Sequence, residues 1–191
     1  MFATHKLQGA GGVGGLGSAD IGVFGGRQVE PSNNLSNVID YVQISTPGNA
    51  TDFGDLTVAR NLCGAFTDGV KACFSGGYAG TGRVNVIDYV TIEIAGNATD
   101  FGDLTVARNG AAGASNGSRG VTAGGFNFPT VDVIDYVTIA TTGNATDFGN
   151  LTVARSGVAG ASNGSRGVFA GGFTSYGTPL NTIDYITIST T

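Results

Sequence analysis

Tryptophan is absent from the 191-residue chain, and methionine and histidine occur once each. Glu30 and Glu93 are its only glutamates, and charged residues make up just 12% of the whole. With His5 as the sole imidazole, placed at the N-terminus, no Ser-His-Asp set can be built, and Cys63 and Cys73 have no matched base. Two cysteines and one distant histidine are not a metal-ligand set either, so neither a metal nor a cofactor is expected. Nine basic residues are scattered against fourteen acidic ones, for a net charge of −5. Binding the phosphate backbone of nucleic acid needs a basic patch, which this chain lacks. No apolar run approaches the ~18–20 residues needed to span a bilayer, and Met1–Lys6 has no apolar signal core. These shortages point away from enzymes, nucleic-acid binders and membrane proteins. Cys63 and Cys73 stand ten apart, on segments that read as neighbouring strands. They are expected as free, buried thiols of a reducing compartment, with a disulfide as the alternative.

What the chain has in excess is glycine, 34 residues without a Gly-X-Y period, together with 41% apolar residues. That balance excludes collagen and does not fit a disordered chain. The glycines belong to a repeat. Asn49-Ala-Thr-Asp-Phe-Gly-Asp-Leu-Thr-Val-Ala-Arg60 returns at 97–108 and again at 144–155, where Asn150 replaces Asp. Asn37-Val-Ile-Asp-Tyr-Val42 has its counterparts at 85–90, 132–137 and 181–186. A glycine pair precedes each of them: Gly25-Gly26, Gly76-Gly77, Gly124-Gly125 and Gly171-Gly172. The repeats fall at about 1–60, 61–108, 109–155 and 156–191 of one domain.

Each repeat reads as four short strands, exemplified by Ser156–Ser162, Arg166–Gly172, Ile183–Ile188 and Thr146–Val153. Turn signals such as Asn163-Gly164 separate them, which predicts an antiparallel meander. No window carries a helix-length apolar period of 3.6. The third strand, as in Val86–Ile92, is largely apolar on both faces, so the sheet is expected to be covered on both sides. A four-stranded sheet flanked by its own copies is a β-propeller blade, which makes the expected fold all-β.

Asp40, Asp88, Asp135 and Asp184 fall in mid-strand among apolar neighbours. They are read as structural, satisfied by backbone N–H groups or by a repeat arginine, rather than as a cation-binding ring. Arg60, Arg108 and Arg155 end the fourth strands and are expected to tie one blade to the next, with an anion site near the axis as the alternative. Asn49, Asn97 and Asn144 are expected to make side-chain turns that start the outer strand. The loops between second and third strands differ from repeat to repeat and carry Tyr78, Phe126, Phe128, Phe173 and Tyr176. These aromatics either contact a partner or a glycan, or pin their own loops to the blades.

The glycine pair after the second strand, the tyrosine of the third, and the aromatic-x-x-Leu spacing before an arginine resemble kelch-type repeats over essentially the whole chain. Phe53, Phe101 and Phe148 stand where kelch repeats usually place tryptophan. The near-identical Asn-Ala-Thr-Asp-Phe-Gly-Asp-Leu copies look like the kelch-like propellers encoded by tailed, including marine, bacteriophages. The resemblance implies a non-enzymatic structural protein of the virion, in the tail, a fibre or a capsid-associated position, bound to other virion proteins. A carbohydrate-binding propeller and a cytoplasmic kelch-like adaptor are the alternatives. Met1–Lys6 aligns with the second half of the fourth strand, with Lys6 over Arg108. A homo-oligomer formed by terminal strand exchange is therefore expected, its ring completed by a second subunit; a closed four-bladed ring is the alternative.

Overall fold

The structure is a computed structural model that describes residues 20–29 and 34–188. Among these residues it is all-β, with four antiparallel sheets in chain order and no helix. The first sheet comprises β1 (Ile21–Val29), β2 (Asn34–Gln43) and β3 (Thr51–Asp55). The second has β4 (Gly64–Thr67), β5 (Lys71–Ser75), β6 (Val86–Thr91) and β7 (Thr99–Asp103). The third repeats that plan with β8 (Ala112–Ser115), β9 (Arg119–Ala123), β10 (Val133–Thr138) and β11 (Thr146–Asn150). The fourth has β12 (Ala159–Ser162), β13 (Arg166–Ala170) and β14 (Ile183–Thr187). Strands adjacent in sequence are adjacent in space, so every sheet is a meander. The pairing expected of Met1–Lys6 lies outside the described residues.

Local chemistry explains the meander. At the β8–β9 turn the Asn116 side-chain oxygen accepts from the amides of Ser118 and Arg119 at 3.0 and 2.8 Å, and Asn163 does the same for Ser165 and Arg166. Asp68 takes this place in the second sheet, capping Val70 and Lys71. Such Asx turns close a hairpin without using the ladder's own hydrogen bonds. After β5 the Gly76-Gly77 pair has φ of 62° and 124°. A Cβ on Gly76 would lie 2.4 Å from the Arg108 carbonyl oxygen, and the Gly77 amide donates to that same oxygen at 2.8 Å. The pair is thus required both by backbone conformation and by a close approach of main chain.

The fourth strand is shorter than the sequence suggests: β11 stops at Asn150 rather than Val153. Arg60, Arg108 and Arg155 accordingly do not end strands; each lies five residues beyond one, in an irregular link. The reason is the leucine that follows. Leu56, Leu104 and Leu151 bury their side chains, and their amides donate to Asn37, Asn85 and Asp132 of the same sheet at 2.7–2.8 Å. The chain there turns inward to fill the core and leaves the ladder.

The apolar cores lie between successive sheets. One contains Val23, Ile39 and Leu56 of the first repeat with Phe74, Val90 and Ile92 of the second. Another contains Phe66, Cys73, Ile87 and Leu104 with Val137 and Ile139. The third contains Ala112, Ala114, Val121, Ala123, Ile134 and Leu151 with Val158, Phe169 and Ile188. The same strand positions serve each time. The isoleucine before the repeat aspartate faces the following sheet, and the aspartate and the second residue after it face the preceding one. Both faces of a third strand such as β6 are therefore covered. Edge-to-face contacts of Tyr41 with Phe53, Tyr89 with Phe101 and Tyr136 with Phe148, at 5.8–6.0 Å between ring centres, join third strand to fourth.

Candidate functional site

The buried charges form one constellation, repeated three times. Arg60 donates from its terminal nitrogen to Asp88 at 2.8 Å, Arg108 to Asp135 at 2.8 Å, and Arg155 to Asp184 at 2.8 Å. Each pair joins the link behind one sheet to the third strand of the next. A threonine three residues before the arginine completes the grip. The hydroxyls of Thr57, Thr105 and Thr152 donate to the same carboxylates at 2.6–2.7 Å, and their amides donate to the second oxygen at 3.1–3.2 Å. The other guanidinium arm reaches back to the second strand, donating to the carbonyls of Phe74, Thr122 and Phe169. A carboxylate taken out of water is tolerated when its lone pairs are filled in this way. The three aspartates are thus held at separate junctions between sheets, each by its own arginine.

Burial pulls the Arg108 guanidinium below its ordinary pKa, while Asp135 acts in the opposite sense. At Asp184 burial pushes the carboxyl up, but the hydrogen bonds from Thr152 and Arg155 outweigh it and hold the group below its ordinary value. A carboxylate depressed by folding contributes stability above its unfolded pKa and loses that contribution as pH falls through the folded one. The junction of third and fourth sheets is therefore expected to keep full strength at neutral and mildly acidic pH, and to weaken below the ordinary aspartate range. Urea unfolding against pH checks this, with Asp184→Asn as reference: the advantage of the native chain over the variant should vanish only in acid.

Asp40 is the exception. It pairs at 3.0 Å with Arg27 of its own sheet, in an accessible position. Arg119 and Arg166 stack over Tyr136 and Tyr185, with the guanidinium carbon 4.5 and 4.7 Å from the ring centres.

Two further residues hold the sheets together in a way the sequence reading missed. The side-chain oxygens of Asn97 and Asn144 accept from the amides of Asp55 and Asp103, at 3.0 Å, on the outer strand of the preceding sheet. They make cross-sheet bonds rather than the local turns expected of them. The repeat itself carried the signal, but spacing alone cannot tell a bond within a unit from one to its neighbour. Asn49 occupies the same place in the first sheet, in a fully exposed run.

Cys63 and Cys73 are free. Burial raises both thiols, that of Cys73 to about 12, and this suits packing rather than nucleophilic chemistry.

The variable loops β5–β6, β9–β10 and β13–β14 lie side by side along one rim of the array, each touching the next. Tyr78, Phe126 and Phe173 hold equivalent places there, each bridged to the link of its own repeat at Asn61, Asn109 and Ser156. The guanidinium carbon of Arg83 in the first of these loops lies 3.9 Å from the ring centre of Phe128, 4.7 Å from Phe126 and 5.7 Å from Tyr78. Ser175 bonds Thr130 across the other pair of loops at 2.8 Å. Tyr78 and Phe126 are half-buried and anchor their loops, whereas Phe128 is 75% exposed and Tyr176 96% exposed. Phe173, at 37%, packs its ring against the Gly157 backbone.

Comparison with protein-family models and with curated proteins returned no match. Among the described residues no group of three or more His, Cys, Asp or Glu side chains gathers as a metal site would require.

Proposed function

We propose that the chain is a non-enzymatic structural and interaction protein, a propeller-type array of kelch-like blades that meets its partner through the variable loops along one rim. The setting proposed is a bacteriophage particle, as a tail, fibre or capsid-associated component bound to other virion proteins. One observation carries the reading. The buried charges are engaged between sheets, while the aromatics that differ from repeat to repeat, Phe128 and Tyr176, stand in solvent. A regular scaffold with variable aromatic loops is the arrangement of a recognition surface.

The test is co-purification with intact particles. The native chain is expected to sediment with them. The double variant Phe128→Ser, Tyr176→Ser is expected to lose association by about tenfold or more, the scale of losing an interface anchor, with its urea midpoint unchanged. Particles that lack the chain would overturn the virion assignment. A second reading, carbohydrate binding, is favoured by the Phe128 ring, which is backed by Arg83 yet largely open to solvent. A glycan array with the same variant separates the two.

A further inference from the structure

The positions that build the three cores occur once more at each end of the array, and there they are open. On the far face of the fourth sheet Ile183 is 67% exposed, although its equivalents Ile39, Ile87 and Ile134 are 0–1% exposed. Ala159 and Ala161 on the same face are exposed, where Ala112 and Ala114 are buried. Val168 and Ala170 are half-buried, where Val121 and Ala123 are wholly enclosed. This is one half of the inter-sheet core, the half that looks toward a following sheet.

The other half lies on the outer face of the first sheet. Ile44 is 64% exposed, whereas its equivalents Ile92, Ile139 and Ile188 are 0–6% exposed. Phe24 and Val42 are half-buried, where Phe74, Phe169, Val90 and Val137 are buried. Asp40, whose equivalents accept from the arginine and threonine of a preceding repeat, stands there with its carboxylate partly accessible. The molecule itself shows what covers each face: the second, third and fourth sheets cover the tail-type face of the sheet before them, and the first, second and third cover the head-type face of the sheet after them.

We propose that the two outer faces are complementary halves of one interface, and that a second copy of this chain joins them head to tail, forming two further cores and a ring of eight sheets. Two identical faces of one kind would set like against like. Head on tail instead repeats a contact made three times within the chain, and a heterologous contact of this sort closes when the rotation between units allows it. The wedge between sheets favours eight. A ring of four opens each wedge to roughly 90° and a ring of eight to roughly 45°. The inner strands meet almost backbone to backbone: a Cβ on Gly113 would lie 1.9 Å from the Ala65 oxygen, and one on Gly160 2.5 Å from the Gly113 oxygen. Phe66 apart, these inner strands contribute only alanine to the cores, Ala65, Ala112 and Ala114, while Leu56, Phe74, Leu104 and Phe169 come from elements outside them. Side chains that small fill a narrow wedge and leave a wide one hollow.

The proposal rests on the array reading above but not on the virion setting, so a failure in particle co-purification leaves it standing. It is tested by light scattering on the full chain at about 10 μM, a concentration at which a specific apolar interface holds. The expected mass is twice the 19.1 kDa of one chain. Ile44→Glu and Ile183→Glu each place a carboxylate in the shared core and are expected to halve the mass. Because both positions are exposed in a single chain, each variant should keep the circular dichroism of the native chain, which separates loss of the ring from loss of the fold. Mixing the two variants restores one unmodified head-to-tail contact and should return the two-chain mass, which an interface between like faces would not do. A native mass of one chain, or of any number other than two, overturns the two-chain ring. So do variants that leave the mass unchanged, and a mixture that stays monomeric.

Discussion

Replacing Asp135 by alanine is expected to destabilise the protein by about 3–5 kcal/mol, the range for breaking one partner out of a buried ion pair. The carboxylate accepts from the Arg108 guanidinium, the Thr105 hydroxyl and the Thr105 amide, and both charged side chains are wholly enclosed. Alanine removes all three acceptor contacts and strands the cation in the interior. The amide and hydroxyl of Thr105 lose their partner as well, which adds the desolvation cost of unsatisfied donors. Urea unfolding followed by circular dichroism measures the loss. The same change at Asp40 should cost far less, because its pair with Arg27 is solvent-exposed and surface pairs are worth about 0–1 kcal/mol.

Gly113→Ala is expected to be comparably damaging for a different reason. The added methyl would sit 1.9 Å from the Ala65 oxygen and 2.5 Å from its carbon, so main chain rather than a yielding side chain is in the way. The inner strands β4 and β8 would have to separate, and the core shared by the second and third sheets would open with them. Overpacking of this kind costs about 1–3 kcal/mol, or more where the obstacle is backbone. Gly82→Ala is the matched control. A Cβ there meets nothing within 4 Å, and its stability should change by no more than about 0.5 kcal/mol. Thermal unfolding of the two variants side by side reads the difference.

Much of the strand plan is legible in the sequence because each device is local. The Asn-Gly turns, the glycine pairs and the Val-Ile-Asp-Tyr-Val alternation all specify geometry within a few residues. Relations between units are less legible. Leu151 reads as a strand residue, since nothing in Thr146–Val153 says that its side chain will turn into a core and end the ladder at Asn150. Asn97 reads as a turn residue, since its spacing to Asp100 is local while its partner Asp55 is 42 residues away. In a tandem array a residue and its copy have identical surroundings in sequence, so periodicity describes the unit without saying which neighbour it reaches. The end faces show the same limit from the other side. Ile183 and Ile87 stand in like sequence contexts, and only the three-dimensional order of the sheets makes one exposed and the other enclosed. The loops that differ between repeats were legible as variable, but which of their aromatics serve as anchors and which stand free was not. That division follows from the bridges at Tyr78, Phe126 and Phe173 and from the exposure of Phe128 and Tyr176.

The arginine–aspartate contact between repeats is what couples one sheet to the next. A double-mutant cycle on Arg108→Met and Asp135→Leu tests it most directly. Each single change leaves an enclosed charge alone, while the double change sets two apolar side chains of similar size in contact. The Thr105 donors lose their acceptor in Asp135→Leu and in the double variant alike, so that cost cancels from the coupling. The buried Nε of Arg108 has no hydrogen-bond partner, so the pair gives up little there when it is replaced. The predicted result is a coupling energy of about 2–3 kcal/mol, at the upper end for residues in direct contact, with the double variant more stable than either single one. A coupling near zero, with the two losses simply adding, would mean instead that the apolar cores alone hold the sheets together.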